Sequence, residues 1–216
     1  MQIQLSAVVP VPLRDKVLQQ QSDIWNRDIT FSPAQFIKIK APSGTGKTTL
    51  VHYLYNIRYD YTGTIRINDK AWPSYSKDQL AVMRQQQISV IFQDLRLFDQ
   101  LTALENIELK RVMQPEPYYP AEKIKEMADR LGVSHVLNQS GATLSYGERQ
   151  RIAIIRALMQ PFEWLMMDEP FSHLDEDNTV KAAKLIAEEC SARKAGFVLT
   201  DLDHDQHFDY HVTYHL

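Results

Sequence analysis

Two short stretches of the chain carry residue types suited to phosphate chemistry. Residues 41–49 read Ala41-Pro42-Ser43-Gly44-Thr45-Gly46-Lys47-Thr48-Thr49. Gly44 and Gly46 let backbone N–H groups turn inward around an anion, the start of a following helix adds partial positive charge, and Lys47 supplies a full one. The Thr48 hydroxyl suits a magnesium ligand beside the bound phosphates. The second stretch is Leu165-Met166-Met167-Asp168-Glu169-Pro170, an apolar run ending in two adjacent carboxylates. Such a pair fits metal-assisted hydrolysis of a phosphoanhydride, because one carboxylate helps hold magnesium while its neighbour orients a water.

The elements around these stretches must bring them together. Residues 35–40 alternate like a strand and run straight into the glycine turn, and residues 47–57 have the spacing of a helix. The loop therefore has the strand–turn–helix setting of a P-loop. Ala41 stands where the strict pattern has glycine, so the turn must accommodate a Cβ. Further strands are expected over 3–9, 29–31 and 64–68, and the apolar runs at 88–92, 164–167 and 197–200 read as buried strands. Ser76-x-x-Gln79, Thr102-x-x-Glu105 and Ser145-x-x-Glu148 are capping-box patterns, each opening a stretch with helical spacing. Strands separated by helices imply an α/β fold with a mainly parallel sheet and helices on both faces. Residues 95–159 break that alternation with helix after helix, including 121–131 and 145–159, and read as a helical subdomain inserted between two core strands.

Three further segments complete a series. Val90-Ile91-Phe92-Gln93-Asp94 is a strand ending in glutamine, Leu144-Ser145-Tyr146-Gly147-Glu148-Arg149-Gln150-Arg151 opens a helix, and Ser172-His173-Leu174-Asp175 follows the carboxylate pair. With these motifs in this order, the chain resembles the ABC ATPase family from its P-loop to its last strand. The resemblance implies a P-loop NTPase core with an N-terminal β region, forming one ABC ATPase domain over 1–216. Within it, 1–94 and 160–216 make the nucleotide-binding core and 95–159 the helical subdomain. It implies ATP and Mg2+ as cofactors, with residues 41–49 around the phosphates. On this resemblance Lys47 would be the Walker A lysine, and Thr48, Gln93 and Asp168 the metal ligands. Glu169 would be the general base, and Gln93 would reach both metal and attacking water. Ser145 and Gly147 belong to a signature normally written LSGGQ, from which Tyr146 and Glu148 depart. They would bond the γ-phosphate held by a second copy of the chain, so the working form is a head-to-tail dimer with two ATP molecules sandwiched. Asp175 would sit in the loop that signals between the sites.

Two features of the family pattern are missing. Residues 10–21 hold no aromatic ring to stack on adenine, and Trp25, the nearest, reads as a core residue beside the strand at 29–31. The family's histidine after the last core strand is also absent, because Thr200 is followed by Asp201 and Leu202, and His204 comes three residues too late. His173 reads as a solvated loop residue. His204, His207, His211 and His215 with Asp201, Asp203, Asp205 and Asp209 read as a polar tail containing an edge strand at 211–215, with no metal site beyond nucleotide magnesium.

Composition narrows the partners. The 216 residues are 44% hydrophobic and 24% charged, enough for a real core, and the formal net charge of −3 gives no sequence-wide attraction to nucleic acid, so none is expected as a partner. The single cysteine, Cys190, reads as a buried helix residue and gives no sign of an oxidising compartment. No stretch approaches the roughly 18 apolar residues of a membrane span. The chain is thus expected in the cytoplasm, held on the inner face of the cell membrane by a transmembrane permease subunit. The text around Gln93 most resembles lipoprotein-release, cell-division and macrolide-export cassettes, with Phe98 and Leu101 as docking residues. A soluble non-transport ABC ATPase and a small-molecule P-loop kinase are the alternatives. There is no second cassette as in translation factors and no long heptad segment as in chromosome ATPases, and a kinase conflicts with the signature and the Asp168-Glu169 pair.

Overall fold

The computed structural model describes residues 1–19, 21–202 and 207–216. In chain order its strands are β1 (Ile3–Pro10), β2 (Asp28–Phe31), β3 (Phe36–Lys40), β4 (Tyr61–Ile67), β5 (Lys70–Ala71), β6 (Ile88–Ile91), β7 (Trp164–Asp168), β8 (Gly196–Asp201) and β9 (Val212–His215). Its α-helices are α1 (Arg14–Gln19), α2 (Lys47–Leu54), α3 (Lys77–Gln86), α4 (Ala103–Val112), α5 (Glu122–Arg130), α6 (Tyr146–Leu158) and α7 (Glu176–Arg193). A parallel five-stranded sheet has the order β6-β7-β8-β3-β9, and an antiparallel four-stranded sheet has the order β2-β1-β4-β5.

The apolar run of β7 has a simple cause. Trp164 and Met166 face one hydrophobic cluster, shared with β1, β4 and α2, while Leu165 and Met167 face the other, shared with α6 and α7. All four side chains are fully buried. A strand covered on both faces cannot alternate apolar with polar, so it shows as a continuous run in the sequence. The α/β fold with a mainly parallel sheet and helices on both faces follows as expected.

Local signals set most boundaries. Ser76, Thr102 and Ser145 each cap a helix, and in each the Gln or Glu three residues on closes the reciprocal capping box. α2 stops at Leu54 rather than reaching residue 57, because Asn56 turns left-handed with φ +57° and ends the helical path. β4 starts at Tyr61, three residues before the expected start at 64. α1, which the sequence reading did not anticipate, fills part of the segment between β1 and β2. β9 lies at the sheet edge and pairs with β3 from Ile37↔Val212 to Lys40↔His215, as its alternation implied. α4, α5 and α6 all lie between β6 and β7, which are neighbours in the sheet with Ile88 opposite Trp164. Cys190 is fully buried in α7, and that burial pushes its thiol up to about 12.

Candidate active site

The loop after β3 curls around the ammonium group of Lys47. Ala41 is buried and donates its N–H to the Asp201 carbonyl (3.1 Å), so the loop leaves the sheet against the end of β8. Its Cβ is accommodated, and the strict pattern's glycine is not needed there. Gly44 and Gly46 have φ values of +75° and +107°. A Cβ on Gly46 would lie 2.9 Å from Leu13 Cδ1 and 3.2 Å from the Trp25 ring, so this position requires glycine on both counts. Three bonds brace the turn: Thr45 Oγ1 donates to the Pro42 carbonyl (2.7 Å), Trp25 Nε1 to the Thr45 carbonyl (3.2 Å), and Lys16 Nζ to the Gly44 carbonyl (2.9 Å). Trp25 is therefore a buried support behind the loop, in the core as expected.

Lys47 is only 6% exposed, and its Nζ donates to the carbonyls of Ala41 (2.9 Å) and Pro42 (3.3 Å). It also pairs with Glu169 Oε1 at 3.2 Å. The other carboxylate oxygen, Glu169 Oε2, accepts from Gln93 Nε2 at 3.4 Å. The ends of β6 and β7 thus meet the start of α2, at the carboxyl ends of the strands, where open parallel sheets place their sites. Together with Leu13, Ser43, Gly44, Gly46, Thr48 and Thr49, these three residues line a cavity of about 230 Å³. Pro42 and Thr45 hold the loop's shape, and Thr49 Oγ1 accepts from Arg58 Nη1 at 3.3 Å.

Asp168 is 1% exposed at the end of β7. Thr200 Oγ1 donates to its Oδ1 (2.8 Å), while Oδ2 has no hydrogen-bond partner. A buried carboxylate oxygen left unpaired is costly, and a bound cation would offset that cost. With the Thr48 hydroxyl and the Gln93 amide in the neighbouring cavity, the donor set is all oxygen, which fits Mg2+.

The turn that follows is strained and pinned. Glu169 has φ +47°, unusual for a side chain with a Cβ, and its N–H donates to the Thr200 carbonyl (3.0 Å). Gln150 of α6, 1% exposed, donates to the Pro170 carbonyl (2.5 Å) and accepts from the His173 N–H (3.1 Å). One amide side chain therefore ties the helix of the LSYGE segment to the loop after the carboxylates.

Ser145, Gly147 and Asp175 do not line the cavity. Ser145 caps α6, and its N–H and Oγ both donate to Glu148 Oε2 (2.8 and 2.7 Å). The hydroxyl bond, chiefly, holds the Glu148 carboxyl below the usual range. The Tyr146 ring lies 4.0 Å from that of His173, and its hydroxyl reaches the Gln93 carbonyl (3.4 Å). His173 is exposed, as expected of a loop histidine, but its ring also lies tilted against Tyr146, and its Nδ1 is 2.8 Å from Ser172 Oγ. A Cβ on Gly147 would meet the His173 carbonyl at 3.3 Å. Asp175 caps α7 by accepting from the Asn178 N–H (2.8 Å). The Asp201 carboxylate accepts from the Leu202 N–H (2.6 Å), and His204 lies outside the described residues.

Sequence reasoning missed Leu13, Lys16, Thr200 and Gln150 as parts of this arrangement. Gln150 had a usable signal: it shares the buried helix face of Ile154 and Leu158, where a polar side chain needs partners. Leu13 and Lys16 carried none, since their contacts depend on how α1 folds over the loop.

The chain is similar to known proteins over most of its length. Residues 25–172 match the ABC transporter family. The lipoprotein-releasing system ATP-binding protein LolD of Saccharophagus degradans is 31% identical over 82% of this chain and 78% of its own length. The cell division ATP-binding protein FtsE of Bacillus subtilis is 30% identical over 74% of this chain and 70% of its own. Among solved structures, the dimeric bacterial ABC transporter cassette MJ0796 matches with a TM-score of 0.77 at 24% identity, covering 92% of this chain and 87% of that one. A post-hydrolysis state of the same cassette, bound to ADP and Pi, matches with a TM-score of 0.75 at 25% identity, covering 94% and 88%. With a P-loop closed on its lysine, a carboxylate pair at the end of β7 in the same sheet and these relatives, the chain belongs to the ABC transporter family, as one of its ATP-binding, ATP-hydrolysing cassettes.

Proposed function

We propose that two copies of this cassette close head-to-tail around two Mg·ATP and drive a transmembrane permease. The observation that carries the reading is the division of the site. Lys47, Gln93 and Glu169 converge on one cavity, while Ser145, Gly147 and Asp175 stand apart from it at helix N-termini. A second copy supplies them to complete the enclosure, and the dimeric form of the similar cassette supports this. Residues 1–94 and 160–216 serve as the nucleotide-binding core, and 95–159 as the moving helical subdomain.

In this mechanism residues 41–49 wrap the phosphates and Lys47 exchanges its contact with Glu169 for the β- and γ-phosphate oxygens. Thr48, Gln93 and Asp168 would hold the magnesium, which when bound offsets phosphate charge. Glu169, freed from Lys47, accepts a proton from the water that attacks the γ-phosphorus, and Gln93 orients that water. The Ser145 hydroxyl and Gly147 N–H of the opposing copy, with the dipole of α6 behind them, donate to the γ-phosphate.

Among the described residues no helix is long and apolar enough to cross a membrane. In this reading the cassette is held on the inner face of the cell membrane by its permease partner. A cleft of about 450 Å³ between α3 and α4, lined in part by Ala81, Gln85, Lys110 and Met113, suits a docking helix from the permease. Exposed Phe98, Val112 and Met113 supply apolar surface on the helical side, whereas Leu101 is half-buried. The match to the ABC transporter family supports a transport load. The decisive test is Lys47→Ala: ATP binding and hydrolysis should both be lost. Turnover at the wild-type rate in that variant overturns the reading.

A further inference from the structure

The segment between β1 and β2 reaches the phosphate cavity through one side chain. Apart from the loop with the start of α2, and the strand-end pair Gln93 and Glu169, the only described residue lining that cavity is Leu13. Its volume of about 230 Å³ is below the roughly 300–1,000 Å³ of sites that enclose a whole ligand. The cavity therefore has room for the phosphates, and the nucleoside lies at its rim. With the γ-phosphate toward Gln93 and Glu169, the nucleoside leads away from that pair toward the remaining wall, which is Leu13.

Leu13 is fixed by the loop it covers. A Cβ on Gly46 would lie 2.9 Å from Leu13 Cδ1, so the leucine packs directly on the loop. Three residues on, Lys16 Nζ donates to the Gly44 carbonyl (2.9 Å) and ties α1 to the same loop. The space behind Leu13, shared with Lys16, Val17 and Trp25, has a volume of only about 10 Å³, so the side chain has no room to fold away. Leu13 is itself half-buried and follows exposed Val11 and Pro12, so the 3-10 turn Val11–Leu13 presents an aliphatic surface at the rim.

We propose that the base of the bound nucleotide rests on Leu13, and that the cassette therefore binds and hydrolyses GTP as readily as ATP. The proposal rests on the placement of the phosphates in the loop at 41–49. An aliphatic side chain shields the faces of adenine and guanine alike, and telling them apart takes a donor or acceptor aimed at the base edge. The polar side chains that share the space behind Leu13 are Lys16, Ser22, Trp25 and Thr45, and each already bonds a backbone carbonyl. Affinity then comes chiefly from the phosphates, which are the same in both nucleotides. The reaction is also the same. The water oxygen bonds to the γ-phosphorus, the bond from that phosphorus to the β–γ bridging oxygen breaks with its electron pair left on GDP, and the water proton goes to Glu169.

Calorimetric titration of the whole chain with ADP, GDP and pyrophosphate, each with magnesium, reads binding without turnover. ADP and GDP should bind within about threefold of each other. Leu13→Ala should weaken both by about three- to tenfold through lost apolar contact, leave pyrophosphate binding unchanged, and be rescued by Leu13→Met, which keeps the volume. Phosphate release from saturating ATP and GTP should likewise agree within about threefold. ADP binding more than tenfold tighter than GDP overturns the base indifference. Unchanged ADP and GDP affinities in Leu13→Ala overturn the contact with the base. An equal loss for pyrophosphate overturns it too, because Leu13 would then only support the loop. Failure of the wild type to bind pyrophosphate or either nucleotide would instead refute the phosphate site itself, and the proposal with it.

Discussion

Replacing Glu169 with glutamine separates the ion pair seen in the structure from the role proposed for the carboxylate as general base. Glu169 neutralises Lys47 at 3.2 Å and accepts from Gln93 at 3.4 Å, with the lysine 6% and the glutamate 15% exposed. Glutamine keeps the length and one acceptor oxygen but cannot take a proton from water. Loss of a positioned general base costs about 10²–10⁴ in rate, or roughly 3–5 kcal/mol of barrier. Binding should move the other way. Lys47 must give up Glu169 to reach phosphate, and a charge-assisted contact of this kind contributes about 1.5–3 kcal/mol, part of which is recovered when the competing charge is gone. ATP should therefore bind Glu169→Gln as tightly as wild type or up to about tenfold more tightly. Phosphate release under saturating Mg·ATP measures the first effect and equilibrium titration with ATP the second. Size-exclusion chromatography with Mg·ATP should show a persistent dimer in the variant, which the wild type forms only transiently. A turnover within about threefold of wild type, or weakened ATP binding, refutes the assignment of the base.

Other perturbations address neighbouring parts. Ser145→Ala removes the cap of α6 and should lower stability by about 1 kcal/mol in chemical denaturation, with a larger loss of ATPase activity than Ser145→Thr, which keeps the hydroxyl. If Asp201 occupies the position of the histidine expected from the family resemblance, hydrolysis in the isolated protein should be slow; Asp201→His should raise the rate, by up to about 10²–10³, while His204→Ala leaves it unchanged. Collapse of activity in His204→Ala would instead show that this histidine does the work. Lys110 in the α3–α4 cleft has its pKa depressed by burial, and secondarily by Arg156, from 10.5 to about 8. Between those values the unfolded chain binds a proton that the folded one does not, so wild-type stability rises with pH across that window. Lys110→Met should then be more stable than wild type by on the order of 1–3 kcal/mol below pH 8, an advantage that fades toward pH 10.5 and that paired urea melts can follow.

Local chemistry explains what was legible in the sequence. Gly44, Gly46 and Lys47 could be placed because only a strand–turn–helix junction uses that combination, and the three capping boxes because each closes within four residues. β7 was visible because burial on both faces leaves no polar residue in its first four positions. The contacts of Lys16 and Leu13 were invisible, because α1 is a six-residue helix whose position depends on the loop beneath it. The end of α2 was overestimated since Tyr55, Asn56 and Ile57 continue its spacing, and the left-handed turn at Asn56 outweighs that pattern. Ser145, Gly147 and Asp175 were found by resemblance alone, and a single chain gives them only capping and packing work.

The neighbours of β3 bear on how the protein is made. Its residues 36–40 emerge early in synthesis, but the strands on either side are β8 and β9, which pair with it across 160 or more positions of chain, as in Phe36↔Phe197 and Ile37↔Val212. Contacts of such separation form late, because the intervening chain must first be brought together. The loop that closes on Lys47 hangs from β3 and from the Asp201 carbonyl. A chain emerging from the ribosome therefore exposes the P-loop residues before β8 and β9 exist to support them, and the pocket is finished only once those two strands have left the exit tunnel.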